Sequence, residues 1–309
     1  MTKSRSVDGL LEKLVGWAKT QPDIVAILNQ GSRARTDHPA DEWADLDLII
    51  FTTNKKKYLD NFDWLENIGK PIITHLEKTA VGDELERRAI FEGGVDVDFS
   101  IISQDQLWEN VEHPSPQDMD MIRRGVRVLF DRTGTIQANL SELSSTVAPA
   151  RSPPSRNEFD QLVNDFLYHV YWTAKKLRRG ELWIAKMSCD RYMKWQLLTM
   201  IEWNTLAIRG WDTDVWFNGR FLEEWIEPET RKELEGTFAH YNYADIEKAL
   251  FATSDLFLKL SKATGKKLGY DNIAPQAGSV IEMARSSLSQ KTGKVKKVGN
   301  PRNDLRMPE

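Results

Sequence analysis

The sequence predicts an α/β domain built on a mixed sheet, followed by an all-α helical bundle. Three observations predict this order. Short apolar segments that suit buried strands alternate with helical spacing of apolar residues up to about residue 130. Residues 141–156 are rich in Ser, Pro and Ala, a composition typical of a linker between domains. Beyond that linker the apolar residues recur at helical spacing throughout.

The first domain is predicted to span residues 1–145. Its opening helix is expected at 7–20, where Leu, Val and Trp side chains share one face. Composition and turn residues then predict, in chain order, a strand at 24–28, a loop at 37–44, a strand at 45–51, a helix at 54–67, a strand at 71–76, helices near 103–111 and 117–124, and a strand at 126–130. Within this series, residues 85–91 and 95–102 are expected to pair as a hairpin across Gly93-Gly94.

The second domain is predicted to span residues 155–286 and to be helical. Ser155 and Asn157 are candidate caps of a helix at about 157–179, and a second long helix is expected at about 182–208. Aromatic residues at three- and four-residue spacings in this region are typical of a bundle core rather than of a ligand platform.

Two acidic residues on one predicted strand point to a divalent metal. Successive side chains of a strand point to opposite faces, so Asp45 and Asp47 share a face while Leu46 and Leu48 point into the core. Asp is rare in strands and costly to desolvate, so a pair of Asp residues among large aliphatic residues indicates a cation that compensates their charge. Carboxylates suit Mg²⁺, whose coordination is usually completed by substrate phosphates.

The segment before this strand is suited to an anion. Gly31 lets the backbone approach a ligand closely, and the hydroxyl of Ser32 can reach a phosphate, next to the basic Arg33. An isolated Gly-Ser pair is most often only a turn. This pair is informative because the acidic strand follows it.

A second acidic strand distinguishes a site from an exposed edge. An edge strand with its polar residues outward explains Asp45 and Asp47 adequately. It does not explain why residues 95–102 repeat the alternation, with Asp96 and Asp98 among Val and Phe. Two such strands favour a site at which their carboxylates meet.

A Gly-Ser turn, a short helix, Asp-x-Asp on the next strand and a third Asp on a later strand form a pattern that resembles the nucleotidyltransferase superfamily of DNA polymerase β-like proteins. Further motifs resemble the aminoglycoside 6-adenylyltransferase (streptomycin adenylyltransferase) family, and the resemblance covers about residues 5–273. These motifs are Phe91-Glu92-Gly93-Gly94, Ala185-Lys186 with Asp190 and Lys194, Met200-Ile201-Glu202-Trp203, and Leu268-Gly269-Tyr270.

The resemblance implies an α/β nucleotidyltransferase domain and an enzyme that transfers AMP from Mg-ATP to a hydroxyl of a streptomycin-like aminoglycoside. Pyrophosphate would be released, and the modification would give antibiotic resistance. The implied catalytic and metal-binding residues are Asp45, Asp47 and Asp98, with Asp98 as the general base. Asp96 lies on the same strand face and stays open as the alternative base.

The resemblance also implies nucleotide-binding residues in both halves of the chain, namely Gly31, Ser32, Arg33, Lys186 and Lys194. The last two belong to a mainly basic segment, residues 175–194, whereas residues 202–235 are mainly acidic. We expect the basic segment to help hold the triphosphate and the acidic segment to help receive a cationic acceptor. For most of these residues, solvated helix faces with paired charges are the alternative.

One position departs from the superfamily pattern, since Ala44 stands where a Ser commonly precedes the first metal-binding Asp. Two alternatives accompany the enzyme hypothesis. One is the same nucleotidyl transfer to a non-antibiotic acceptor, and the other is a catalytically silent nucleotide-binding module. The presence of all three carboxylates favours the active enzyme.

Composition limits the classes of binding partner and the cellular compartment that can be expected. A net charge of −4 argues against general nucleic-acid binding, which depends on clustered Lys and Arg. The five histidines lack the spacing of zinc ligands, and the single Cys189 excludes an internal disulfide. No N-terminal stretch combines positive charge with an apolar run, so neither secretion nor membrane insertion is indicated and the expected compartment is the cytoplasm. The expected oligomeric state is a monomer or a homodimer. The tail, residues 287–309, is rich in Lys, Gly, Asn and Pro and is expected to be mobile.

Overall fold

A computed structural model describes residues 3–79, 84–144 and 151–289. The chain divides into two compact units, the first ending at residue 149 and the second beginning at residue 150. This division falls inside the segment expected to be a linker. None of the helices in the described ranges combines the length and the apolar character of a membrane span.

The first unit is an α/β domain, as predicted. Its strands are β1 (Ile24–Gln30), β2 (Leu46–Thr52), β3 (Pro71–Lys78), β4 (Leu85–Phe91), β5 (Val95–Ser103) and β6 (Arg127–Asp131). Its α-helices are α1 (Lys3–Thr20), α2 (Lys55–Leu59), α3 (Gln104–Glu112), α4 (Pro116–Arg124) and α5 (Ile136–Ser144). Short 3₁₀ turns occur at Gly31–Arg33 and Asp63–Asn67.

The strands form one sheet in the order β3-β4-β5-β2-β1-β6. Strands β2 and β5 run parallel and the other neighbouring pairs run antiparallel, so the sheet is mixed, as predicted. The β4–β5 hairpin pairs Phe91 with Val95, and both Gly93 and Gly94 have the positive φ that the turn requires. The predicted hairpin is therefore confirmed. The two acidic strands, β2 and β5, are also neighbours in the sheet.

Both faces of the sheet carry a hydrophobic core. On one face, Leu46 and Leu48 are fully buried in a cluster that includes residues of α1 such as Leu14. On the opposite face, Ile49 and Phe51 pack in a second cluster that includes residues of α3, α4 and α5. The alternation of β2 predicted from the sequence is therefore confirmed, and it directs Asp45 and Asp47 to the face shared by Ile49 and Phe51.

Two elements of the first unit differ from the prediction. The helix expected at 54–67 ends at Leu59, because the Asn61 side chain accepts a hydrogen bond from the backbone of Asp63 at 2.7 Å and starts a separate 3₁₀ turn. Helix α5 lies where no helix was predicted. Its first turn is fixed by the carboxylate of Asp131, which accepts a hydrogen bond from the backbone of Ile136 at 2.9 Å.

The second unit is helical, as predicted. Its helices are α6 (Arg156–Arg178), α7 (Leu182–Met187), α8 (Met193–Arg209), α9 (Leu222–Trp225), α10 (Pro228–Glu235), α11 (Tyr243–Leu268) and α12 (Ala277–Ser289). Ser155 caps α6 through a reciprocal capping box with Glu158, which confirms one of the two predicted caps. The other candidate, Asn157, lies inside α6 and not at its cap.

The helix expected at 182–208 is interrupted by a π turn at Ser188–Tyr192. Such a turn displaces backbone hydrogen bonds, and here Lys194 Nζ donates to the carbonyl of Cys189 at 3.0 Å. Helix α12 continues through Ser289, so the expected start of the mobile tail at residue 287 is wrong. The remainder of that expectation, residues 290–309, lies outside the described residues.

The pKa of Glu202 gives the second unit a pH-dependent stability. Burial in α8 raises this pKa from 4.5 to about 7, against the opposing charge of Arg151. Since the pKa returns to about 4.5 on unfolding, the folded state binds more protons between these values. The stability contributed by Glu202 therefore falls as the pH rises from about 4.5 to 7.

We expect Glu202→Gln to be more stable than the wild type at pH 8 and to lose that advantage at pH 5, because the amide does not ionise. Urea unfolding at the two pH values measures the difference. Glu235→Gln, at an exposed position of α10, is the matched control. Its free energy of unfolding should differ from that of the wild type by the same amount at pH 5 and at pH 8. An equal effect of Glu202→Gln at both pH values would contradict the expected ionisation.

Candidate functional site

Three carboxylates converge on the sheet face opposite α1. One carboxylate oxygen of each of Asp45, Asp47 and Asp98 lies within 4.8 Å of the other two. An octahedral Mg²⁺ with bonds of about 2.1 Å places its ligand oxygens about 3 to 4 Å apart, so small side-chain movements would let the three share an ion. Asp98 is 8% exposed, and Asp45 and Asp47 are partly exposed. These three residues are called the acidic triad below.

Strand register creates this convergence. In the parallel pair of β2 and β5, Asp47 lies directly beside Asp98. Asp45 precedes β2 by one residue, and Asp96, the alternative base, lies two residues before Asp98 on β5. The group of carboxylates that meet within 4.8 Å contains Asp98 and not Asp96.

The Gly31-Ser32 turn lies against the triad. Gly31 has a φ of +72°, and a β-carbon at this position would collide with the carboxylate of Asp47. The Ser32 hydroxyl is buried and forms no hydrogen bond with any of the described residues. A buried hydroxyl without a partner is costly, so this geometry fits an incoming phosphate oxygen. The helix expected after the turn is only a 3₁₀ turn, Gly31–Arg33, so a helix dipole adds little here.

Arg33 binds the protein's own backbone. Its Nε donates to the carbonyl of Asp45 at 3.0 Å and its Nη2 donates to the carbonyl of Ala44 at 2.7 Å. The guanidinium therefore fastens the loop that carries Asp45 to the Gly-Ser turn. Asn29, a buried residue that the sequence patterns did not single out, donates to the carbonyl of Asp47 at 3.0 Å and fixes the neighbouring strand in the same way.

We expect Gly31→Ala to weaken divalent-metal binding, because the added methyl group displaces the Asp47 carboxylate. A left-handed backbone at Ala adds a cost of about 1–2 kcal/mol in folding free energy. Gly94→Ala is a matched control, since Gly94 has a φ of +77° and a β-carbon added there would meet no atom within 4 Å. Urea unfolding should show that both variants are destabilised. Mn²⁺ titration should show weaker metal binding only in Gly31→Ala. Equal metal binding in the two variants would contradict the collision.

An arginine that the sequence patterns did not single out contacts the triad. Arg88 on β4 lies opposite Asp98 in the hairpin register, and its Nε is 2.6 Å from Asp98 Oδ1. Its Nη2 contacts the second oxygen, Oδ2, which makes the pair bidentate. On its other side, Arg88 Nη1 is 2.9 Å from Glu77 Oε1 of β3. The hydrogen bond with Asp98 is the main reason that the pKa of Arg88 is raised.

Glu86 completes this charged cluster. Its Oε1 is 3.9 Å from Arg88 Nε, and it lies opposite Glu77 in the β3–β4 pair. Burial, followed by the negative charge of Asp98, raises the pKa of Glu86 to about 7. The face of the sheet beside the triad therefore carries two further carboxyl groups around one guanidinium.

Lys186 and Lys194 lie together in the second unit, around Asp190. Lys186 forms an ion pair with Asp190, and Lys194 Nζ lies 3.9 Å from the other oxygen of this carboxylate. Lys194 also donates to Thr253 Oγ1 at 2.9 Å, and burial lowers its pKa. It lines a cavity of about 440 Å³ together with aromatic residues, including Trp195.

The acidic segment at 202–235 contains several paired residues. Glu227 accepts hydrogen bonds from Arg209 at 2.9 and 3.1 Å, and Glu233 pairs with Lys259. For these two carboxylates the alternative of paired charges on helix faces describes the observed contacts.

A mixed six-stranded sheet followed in the chain by a helical region agrees with the nucleotidyltransferase class of enzymes, and the family match defines that class for this chain. The profile of the streptomycin adenylyltransferase family matches residues 4–285. The chain belongs to that family.

Two relatives named aminoglycoside 6-adenylyltransferases agree with this assignment. The chain is 25% identical over 275 residues to an aminoglycoside 6-adenylyltransferase of Bacillus subtilis, covering 86% of this chain and 92% of the relative. It is 21% identical over 276 residues to an aminoglycoside 6-adenylyltransferase of Campylobacter jejuni, covering 86% and 90%. A crystal structure of an aminoglycoside 6-adenyltransferase from Bacillus subtilis aligns with 19% identity and a TM-score of 0.44, covering 91% of this chain and 97% of the other.

Proposed function

We propose that this enzyme transfers AMP from Mg-ATP to a hydroxyl of a streptomycin-like aminoglycoside and releases pyrophosphate. The convergence of Asp45, Asp47 and Asp98 beside the Gly31-Ser32 turn is the observation that carries the proposal. Family membership supports it, because the curated relatives are aminoglycoside 6-adenylyltransferases. Such a modification would give antibiotic resistance, and we place it in the cytoplasm, where ATP is available.

The acidic triad fits a divalent metal by its chemistry. Carboxylate oxygens are hard ligands that suit Mg²⁺, and the three side chains are close enough to share an ion. We assign metal binding to Asp45 and Asp47, with Asp98 as the third ligand. When bound, Mg²⁺ would offset the negative charge of the ATP phosphates and of the departing pyrophosphate.

The Gly-Ser turn would position the nucleotide. The unpartnered hydroxyl of Ser32 can donate to a β- or γ-phosphate oxygen, and the absence of a side chain at Gly31 lets that phosphate approach the triad. Arg33 would contribute through the loop that it fastens, since its Nε and Nη2 bind backbone carbonyls.

Asp98 would act as the general base. The acceptor hydroxyl loses its proton to the Asp98 carboxylate, and its oxygen forms a bond with the α-phosphorus. The bond from that phosphorus to the bridging oxygen breaks, and pyrophosphate leaves opposite the attacking oxygen. Because the protein supplies little covalent chemistry, positioning and charge stabilisation would provide most of the rate enhancement.

Lys186 and Lys194 are proposed to bind the triphosphate, and acidic residues of 202–235 to bind the cationic acceptor. We expect Lys186→Gln to raise the KM for ATP several-fold with little change in kcat, since it removes a charge used in ground-state binding. Lys175→Gln, at an exposed position of the same basic segment, should leave KM unchanged. An unchanged KM in Lys186→Gln would remove Lys186 from the site.

The function is tested by incubating the protein with Mg-ATP and a panel of aminoglycosides and measuring product masses. The proposal expects streptomycin to gain one adenylyl group, with pyrophosphate formed in equal amount. Adenylylation of another aminoglycoside would correct the acceptor and keep the reaction. ATP binding without modification of any acceptor would contradict the proposal and favour a silent nucleotide-binding module.

A further inference from the structure

Asp98 is committed to two roles in the proposed reaction, yet both of its carboxylate oxygens contact Arg88. The guanidinium approaches Asp98 with two parallel N–H groups, from Nε at 2.6 Å to Oδ1 and from Nη2 to Oδ2. This geometry covers both oxygens of a residue that is only 8% exposed. A metal ion or a substrate proton must therefore share Asp98 with Arg88.

The charge balance explains why an arginine stands there. Three carboxylates within 4.8 Å of one another repel strongly when no cation lies between them. Arg88 offsets that repulsion in the protein itself, from the neighbouring strand of the hairpin. A divalent ion in the triad would provide the same compensation, so the two cations have overlapping roles.

Two further carboxylates approach the guanidinium, Glu77 at Nη1 and Glu86 at Nε. Glu77 Oε1 is 2.9 Å from Arg88 Nη1, and Glu86 Oε1 is 3.9 Å from Arg88 Nε. Neither residue belongs to the group of carboxylates that meet in the triad. Arg88 can thus release an oxygen of Asp98 and remain paired with carboxylates.

From this geometry we propose that Arg88 is an internal counter-ion that competes with the divalent metal for Asp98. The inference rests on the proposed metal site and adds a residue that sets its affinity. Metal binding would transfer the guanidinium from Asp98 towards Glu77 and Glu86. The net free energy of metal binding would then be the free energy gained from the metal–carboxylate contacts minus the free energy lost when the bidentate pair of Arg88 and Asp98 breaks.

The experiment is a titration of the full-length protein with Mn²⁺, followed by the electron paramagnetic resonance signal of the free ion, without nucleotide. We expect Arg88→Gln to bind Mn²⁺ about tenfold more tightly than wild type, since metal binding no longer has to break a charge-assisted pair with an effect of this order. Arg88→Lys keeps the charge but loses the planar fork, and should bind about threefold more tightly. Lys70→Gln, which removes an exposed positive charge paired with Glu92, is the control and should match wild type.

Each outcome decides between explanations. Tighter binding in both Arg88 variants supports competition through the bidentate contact. Wild-type affinity in Arg88→Lys with tighter binding in Arg88→Gln would attribute the effect to the charge at this position and overturn competition through the bidentate contact with Asp98. Weaker binding in both, with thermal unfolding unchanged, would show that Arg88 orients Asp98 for the metal and would also overturn it. If wild type and Asp47→Asn bind Mn²⁺ equally, the proposed metal site itself fails.

Discussion

Asp47→Asn is expected to reduce the turnover of AMP transfer by roughly 10³-fold or more, because a metal ion contributes several kcal/mol of transition-state stabilisation. Asp47 contributes one of the three converging carboxylates. It lies beside Asp98 in the parallel register, and its carboxylate faces Gly31. The amide keeps the shape of the side chain and removes the charge, so the fold should survive while the metal is lost.

The measurement combines steady-state kinetics with a Mn²⁺ titration of the same preparation. Weak metal binding and low turnover are expected to occur together, and higher Mn²⁺ concentrations should recover part of the rate. Asp105→Asn, at an exposed position in the first turn of α3, is the control for an Asp-to-Asn change and should behave as wild type. Normal turnover of Asp47→Asn would exclude Asp47 from the metal site.

Asp98→Asn is expected to lower turnover by ~10²–10⁴-fold, the usual contribution of a positioned general base. The amide cannot accept the proton of the acceptor hydroxyl. It also breaks the bidentate pair with Arg88, which leaves a partly buried guanidinium with Glu77 at 2.9 Å and Glu86 at 3.9 Å. Some loss of stability should therefore accompany the loss of activity, and kinetics have to be measured below the unfolding temperature of the variant.

Asp96→Asn separates the two candidate bases. Asp96 lies on the same strand and the same face, two residues before Asp98, but outside the group of carboxylates that meet in the triad. We expect it to keep near-normal turnover and Mn²⁺ affinity. If Asp96→Asn loses activity and Asp98→Asn does not, the roles of the two residues are exchanged.

The strands and their faces could be predicted from the sequence because strand alternation is a local property. Leu46 and Leu48 are fully buried, as their alternation with Asp45 and Asp47 predicts. The meeting of two acidic strands was inferred from the repetition of one pattern. That the strands are neighbours in the sheet depends on tertiary structure, which the family resemblance supplied and periodicity does not.

Arg88 shows a feature that local patterns did not reveal, although the sequence contained a sign of it. The Gly93-Gly94 turn fixes Phe91 opposite Val95, and counting back along the antiparallel strands brings Arg88 opposite Asp98. Glu77 could not be found this way. Glu77 lies on β3, which pairs with β4 and not with β5. Counting back from the Gly93-Gly94 turn gives only the register of β4 with β5, so it does not reach Glu77.

Two further misses have a physical origin in competing hydrogen bonds. At the start of helix α5 the side chain of Asp131 accepts a hydrogen bond from the backbone N–H of Ile136, which has no acceptor within the helix. The spacing of apolar residues does not predict such a cap. The π turn at Ser188–Tyr192 interrupts a pattern that is helical on both sides. Its Cys189 carbonyl is satisfied by the side chain of Lys194, a contact that spacing rules do not include.

Locating a bound ion would decide whether the acidic triad is a metal site. Crystals of the protein with Mn²⁺ and a non-hydrolysable ATP analogue give an anomalous signal that marks the position of the metal. We expect a peak at roughly 2 Å from carboxylate oxygens of both Asp45 and Asp47, with the triphosphate reaching Ser32. A fully occupied nucleotide with no peak between these carboxylates would contradict metal binding by the triad and, with it, the proposed transfer of AMP.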